Sequence, residues 1–431
     1  NEELAVRNMY DYDDMLLNAY KALQQDDTHQ HPRKKYTYIL VDEFQDTNEL
    51  QYEIIKLLNA TDNVFVIGDP LQSIYGFRGA SAAVFECFKK DWPSSRRIDL
   101  IINYRSSAEI VRTANAVFPK APQLKPYREQ PGTVYASEVL NEYSEAEWIV
   151  QEIERQVGGS DMLRGSEHHH SDAQRTFKDF AILYRTHAVA RTAQRALEDS
   201  GIPYQVAGEG SPYLQPHAAA ITQSLAYLAD MGDVPVVKNY PRVQTKAVLD
   251  QLKSHLRHMA PAQLAEKIAK ALGLDAERAA ASLRQYINSL VRFESVPLPK
   301  YVEHMRHIAE QEYYDPMAEA VTLLTIHAAK GLEFSQVFLI GAEQGIIPLS
   351  RKGIIADIDE EKRLFYVAVT RARDGLYIVH ARTRGGERRQ LSEFVTALPE
   401  AIVKRRIDPA MTKQVRRIER RRQKHSQGSL F

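Results

Sequence analysis

From Tyr36 onward the chain alternates short β-rich runs with helical segments, and this alternation restricts the fold more than any other feature. YTYILV and NVFVIG are apolar runs that end in polar turns, and NELQYEIIKLL between them has helical spacing. RIDLIIN reads as a third strand and SSAEIVRTANAVF as the helix after it. Ser106 or Ser107 opens that helix, with Glu109 near its first turn. Units of this kind specify parallel strands covered by helices. The expected class is α/β.

A Pro-rich connector, PKAPQLKPYREQPG, leads to a second series: SEAEWIVQEIERQV, DFAILYR, TAQRALEDSG and IPYQVAG. GGSDMLRGSEHHHSDAQR within it has no apolar period and reads as a surface loop. Its consecutive His168, His169 and His170 are poorly placed to converge on a metal. From Gln215 to about Ala318 the pattern is helical without strands. At Ala320 the αβ series resumes with AVTLLTIHAAKGLEF, SQVFLIGA and DGLYIVHA. A helical insertion therefore interrupts an αβ domain.

The length of 431 residues suits about two to four structural units. No run approaches the roughly 18 apolar residues of a membrane span, and the opening does not read as a signal peptide. The single cysteine, Cys87, excludes an internal disulfide framework and suits a reducing compartment, so a cytoplasmic protein is expected. Net charge is zero, from 56 basic and 56 acidic residues, but ten Lys or Arg against two acids lie between Lys404 and Lys424. That run is either a solvated tail or an arm for nucleic-acid phosphate.

Five stretches carry chemistry. In YILVDEFQDT a buried run ends at Asp42 and Glu43, where one carboxylate can hold Mg²⁺ and its neighbour can act on a water. Gln45 and Asp46 add polar groups to the same edge. GDPLQSIYGFRGA offers Gln72 to a phosphate or water and the flat faces of Tyr75 and Phe77 to a base; in an ordinary turn the same aromatics would pack inward. INYRSS sets Tyr104 beside Arg105, able to stack a purine and reach its phosphates. LLTIHAAKGLEF and EEKRLFYVAVTRARD complete the set, the latter with Arg371 eight residues after Arg363 in a helical pattern.

In this order the five resemble motifs II to VI of the UvrD/Rep-type superfamily 1 DNA helicases. FAILYRTHAVARTAQRALEDSGIPYQV and YDYDDML resemble further segments of that family. The resemblance covers nearly all of residues 8–215 and 320–385. It implies two RecA-like parallel-sheet lobes, the first incomplete, with an all-helical insertion in the second. The implied boundaries are 1–30 for the end of an accessory helical subdomain and 31–103 for the partial first lobe. The second lobe would run over 104–215 and 319–400, around a reduced helical insertion at 216–318. Residues 401–431 would form a basic disordered tail.

The same resemblance assigns roles. Asp42 would hold Mg²⁺, Glu43 would activate water, Gln72 would sense the γ-phosphate of ATP, and Arg105 and Arg371 would be arginine fingers. Tyr104 would stack on adenine and Glu333 would reach the ribose, with Lys330 and Gly331 beside the nucleotide. Tyr75, Phe77, Arg78, Thr325 and His327 would line a single-stranded DNA track. The implied activity is ATP-dependent 3′–5′ strand separation at single/double-strand junctions, in repair or replication.

Two departures matter. The family often has Trp at the position of Phe77, and the segment EGSPYLQPHAAAITQSLAYL opens a shorter insertion than in better-known members. More important, no Gly-Lys dipeptide occurs among the twenty glycines, so the chain has no G-x-x-x-x-G-K-[ST] phosphate loop. In the family that loop lies upstream of YDYDDML. The expectation is a fragment that is inactive alone. The rival expectation is a non-enzymatic adaptor that binds single-stranded DNA and the sliding clamp. The closing QGSLF resembles a clamp-docking peptide, with Gln427 at the rim of a pocket filled by Leu430 and Phe431.

Overall fold

The computed structural model describes residues 10–24, 36–59, 61–158, 175–207, 216–235, 237, 241–253, 259–274, 283, 286–287, 290, 297–302, 314–350 and 357–407. His168 to His170 and the QGSLF terminus lie outside these residues. The protein is α/β with parallel strands, and it divides into two compact units, Asn1–Ala146 with Ala329–Phe431, and Glu147–Ala328.

In the first unit, β1 (Ile39–Val41) pairs in parallel with β2 (Val64–Val66), and the helix Glu49–Leu58 crosses between them. Asn48 caps that helix with a reciprocal box to Gln51, as its sequence invites. One face of the pair packs on Phe44, Tyr52 and Val84, backed by Phe85, Phe88 and Trp92. Leu40 and Phe65, at alternate positions facing the other way, are 73% and 56% exposed. A face this apolar is unusual on a strand pair.

The same unit holds β5 (Thr133–Asn141), β9 (Phe334–Leu339), β10 (Ala372–Arg384) and β12 (Lys404–Ile407), side by side in the order β12-β5-β10-β9 and all parallel. The basic segment expected to be a tail thus begins with an edge strand: residues 404–407 pair with 135–138 of β5. The helix Ile358–Thr370 delivers its C-terminus to β10, with Asp357 capping its N-terminus.

Arg384 at the end of β10 is bonded to two buried carboxylates. Its Nε and Nη2 donate to Glu343 at 2.7 and 2.9 Å, and Nη2 donates to Glu145 at 2.6 Å. One cation therefore serves two anions, and burial pushes the Glu145 carboxyl up to about 7, with Glu343 adding to the effect. The folded chain holds this proton more tightly than the unfolded one, so stability falls as pH rises from about 4.5 to 7 and is level above. Glu145→Gln is expected to be more stable than the parent by on the order of 2–3 kcal/mol at pH 8 and level with it near pH 4.5. Urea unfolding of both chains across that range checks this; parallel pH curves would contradict it.

In the second unit, β6 (Phe180–Tyr184), β8 (Val321–Thr325) and β7 (Tyr204–Ala207) are parallel, in the order β6-β8-β7. β6 is buried throughout, as expected of a strand covered on both faces. Between residues 216 and 302 the described residues contain helices and no strand, among them Pro216–Leu228, Arg242–Lys253 and Pro261–Ala271. They share a core that includes Ile221, Leu249 and Ile268. No helix among the described residues is long and apolar enough to cross a membrane.

Candidate functional site

β1 ends at Val41, and Asp42 and Glu43 follow on the strand's C-terminal edge. Glu43 has left-handed backbone, φ 51° and ψ 39°. A glutamate there is strained, and such strain collects at functional positions. Asp42 Oδ1 accepts the Glu43 N–H at 2.8 Å. The short turn Phe44–Asp46 then drives Phe44 into the core, where it meets Phe85 edge-on with ring centroids 5.2 Å apart.

The Gly-containing segment after β2 is equally defined. Asp69 caps the turn Pro70–Gln72 through Leu71 N–H and accepts Gln72 Nε2 at 2.9 Å. Gln72 Oε1 in turn accepts Arg371 Nη2 at 3.3 Å, so the expected phosphate sensor and one expected arginine finger touch. The segment is also held by the helix Ile358–Thr370. Arg363 Nε donates to Ser73 O at 2.7 Å, and Gly76 N–H donates to Glu360 Oε1 at 2.9 Å.

Arg371 is the most telling side chain. It is 1% exposed, yet its hydrogen bonds go to Val367 O, Leu332 O, Gln72 Oε1 and Thr370 Oγ1, none of them a carboxylate. Burial, reinforced by Arg105, pushes its pKa down to about 10. The guanidinium remains charged at neutral pH with no described carboxylate hydrogen-bonded to it, Glu43 and Glu333 favouring the charge only through space, a costly state that a bound anion would relieve.

The remaining nucleotide candidates are brought together on the same unit. Arg105 pairs with Glu333, which also lies 3.6 Å from Arg373. Tyr104 is exposed and packs against Tyr127, with ring centroids 4.7 Å apart. Gly331 has φ 82°, which favours glycine. Lys330, expected beside the nucleotide, reaches across to the acid segment. Its Nζ donates to Asp46 Oδ2 at 2.5 Å and to Gln72 O at 2.9 Å, and it lies 5.0 Å from the centre of the Tyr75 ring. Burial raises the Asp46 pKa even so, and Asp46 Oδ1 is buried without a hydrogen-bond partner.

Tyr75, Phe77 and Arg78 form one cluster. The Arg78 guanidinium lies 5.1 and 5.5 Å from the two ring centres, and Phe77 is 69% exposed. They border a cavity of about 660 Å³ whose wall includes Asp13, Leu16 and Asn48. Thr325 and His327 belong to the second unit, where Thr325 ends β8 and its Oγ1 accepts Ala328 N–H at 3.1 Å. Gln427, Leu430 and Phe431 are outside the described residues.

Sequence reasoning left Asp69, Tyr127, Glu360 and Arg373 without roles. Their connections join segments far apart in the chain, and no local pattern marks them. Asp69 alone had a signal, standing at the cap position before Pro70.

Among the described residues no group of three or more His, Cys, Asp or Glu side chains could hold a metal. Exposed Asp42 suits a different kind of site, in which Mg²⁺ takes one carboxylate and fills its shell with substrate phosphates and water.

A strained acid at a strand end, near a buried cation that no described carboxylate hydrogen-bonds, defines an α/β protein with a candidate anion site. The comparisons give that class a family. Residues 1–93 match the UvrD/REP helicase N-terminal domain, and residues 98–231 and 245–383 match the UvrD-like helicase C-terminal domain. The chain belongs to the UvrD-like helicase family. It is 27% identical to the ATP-dependent DNA helicases PcrA of Staphylococcus epidermidis and Staphylococcus aureus, over 93% of this chain and 63% of each relative. The chain therefore spans less than two thirds of the length of these relatives. A crystal structure of the C-terminal domain of a possible DNA helicase from Lactobacillus plantarum WCFS1 is 13% identical, with a TM-score of 0.32, over 70% of this chain and 98% of that one. That likeness is too slight to add to the fold described above.

Proposed function

We propose that this chain is the hydrolysis-and-coupling part of an ATP-dependent 3′–5′ DNA helicase, inactive without a phosphate loop. Arg371 carries the reading: a buried guanidinium without a described carboxylate partner is held ready for an anion, and Gln72 orients it. Arg105 leaves Glu333 to meet the same phosphates, and Tyr104 offers its face to adenine. Glu43 takes a proton from the water that attacks the γ-phosphate. Asp42 would hold Mg²⁺, which would neutralise charge on the phosphates. The relatives' name supports ATP and DNA as substrates. Two RecA-like lobes with the boundaries given above belong to this reading, as does a cytoplasmic location. Docking of Gln427, Leu430 and Phe431 on a sliding clamp is a further part of it.

On the DNA side, Phe77 and Tyr75 give stacking faces and Arg78 a charge, a combination that binds single strands without reading sequence. Thr325 and His327, in the second unit, would also contact DNA. Phe77→Ala is expected to weaken binding of an oligothymidylate by about 1–3 kcal/mol, and Phe77→Trp to strengthen it. Fluorescence anisotropy at fixed salt checks this. Equal affinity of all three proteins would remove the DNA track from this surface. The adaptor reading differs in one observable, since it requires DNA binding without ATP turnover even when a phosphate-loop segment is supplied.

A further inference from the structure

Gln45 is 1% exposed, and both ends of its side-chain amide are used. Nε2 donates to Glu43 Oε2 at 2.5 Å, and Oε1 accepts the Asp69 N–H at 2.9 Å. Asp69 Oδ2 accepts Gln72 Nε2, and Gln72 Oε1 accepts Arg371 Nη2. A continuous hydrogen-bonded line thus runs from the strained Glu43 to the buried guanidinium, and the Gln45 amide carries it from the acid segment to Asp69; Lys330, 3.8 Å from Glu43 Oε2 and bonded to Gln72 O, is a second tie between the same segments. The fit around Gln45 is tight. A Cβ at Gly68 would collide with Gln45 Oε1, so the glycine there makes room for the amide. Ser73 Oγ donates to Gln45 O at 3.1 Å, which holds the backbone independently of the side chain.

We propose that Gln45 is a positioning residue: its amide fixes the Glu43 carboxylate and joins it, through Asp69, to Gln72 and Arg371. The inference rests on the reading above, in which Glu43 activates the attacking water. A neutral amide is the suitable link, because it can donate to a carboxylate and accept a backbone N–H at once. A buried hydrogen-bonded chain of this kind keeps its members in register at little cost in reorganisation. The general base and the phosphate-sensing groups would then move as one set.

The test uses the full chain with ¹⁵N-labelled Gln and Asp, followed by NMR. In the parent, Glu43→Gln removes the charge at one end and is expected to shift the Gln45 side-chain amide, the Asp69 N–H and the Gln72 side-chain amide. In a Gln45→Leu background the Asp69 and Gln72 signals are expected to respond less to Glu43→Gln, the residual response at Gln72 passing through Lys330. Gln45→Met, closer in volume, also removes both amide bonds and serves equally if the leucine variant fails to fold. Undiminished responses at Asp69 and Gln72 in either background would overturn the proposal, as would an unmoved Gln45 amide in the parent. With a phosphate-loop segment supplied, Gln45→Leu is expected to lower kcat for ATP about 10- to 100-fold with little change in KM, a split that loss of folding alone would not give. Absence of turnover in that completed protein, with the NMR responses intact, would sink the hydrolytic reading and leave the tether standing.

Discussion

Replacing Arg371 with methionine is expected to make the folded chain more stable while removing its affinity for phosphate. The guanidinium is 1% exposed and its pKa is pushed down to about 10. At about 1.4 kcal/mol per pH unit, the fold therefore disfavours this charge by about 3 kcal/mol. Methionine fills much of the same volume. Its cost is the loss of the bonds to Leu332 O and Gln72 Oε1, together about 1–2 kcal/mol. Val367 O keeps a bond from Thr370 Oγ1. The balance favours the variant by about 1–2 kcal/mol, which urea unfolding would read directly. Tripolyphosphate is expected to stabilise the parent chain and not the variant. In a protein completed with a phosphate loop, the same change is expected to lower the rate by about 10³- to 10⁵-fold. A variant less stable than the parent that still responds to tripolyphosphate would show that Arg371 is a packing residue.

Lys330→Met is expected to act in the opposite direction. The Lys330 side chain is 7% exposed and its charge meets Asp46. Without it Asp46 keeps a mostly buried carboxylate, one of whose oxygens already lacks a partner. Breaking such a pair from one side costs about 2–4 kcal/mol, below the figure for full burial because Asp46 is 22% exposed. The loss should be largest at pH 8 and smaller at pH 5. The folded variant holds a proton on Asp46 more tightly than the unfolded chain does, so stability recovers as pH falls toward the carboxylate range. Unfolding at the two pH values checks both size and sign. A loss under 0.5 kcal/mol at pH 8 would mean that Lys330 and Asp46 do not depend on each other.

Much of this was legible in the sequence, for reasons that differ by element. Strand periodicity and polar turns identified β1, β2 and β6 to β10 as strands of αβ units, because buried strands leave an apolar signature, whereas β5, with its mixed TVYASEVLN, was missed. The acid pair was legible because a strand must end where its polar residues begin. Arg371 could be named but not weighed. Its meaning lies in burial without a described carboxylate hydrogen-bonded to it, and burial of an Arg has no sequence signal. The long-range contacts of Lys330 and Gln45 were hidden for another reason: Lys330 meets Asp46 and Gln72, and Gln45 meets Asp69, all in other segments. The strand Lys404–Ile407 was misread because its charge resembles a solvated run, while its partner lies more than 260 positions earlier.

We propose that Asp42, Glu43, Gln72, Arg105 and Arg371 form a prepared hydrolytic set that needs a phosphate loop to cradle the β- and γ-phosphates. ATP turnover by the purified chain, with and without single-stranded DNA, tests it most directly. The expected result is no turnover by the folded chain alone, and DNA-stimulated turnover once a phosphate-loop segment from a relative is fused upstream. DNA-stimulated turnover by the chain alone, abolished by Glu43→Gln, would contradict the account, because another segment would then have to hold the phosphates.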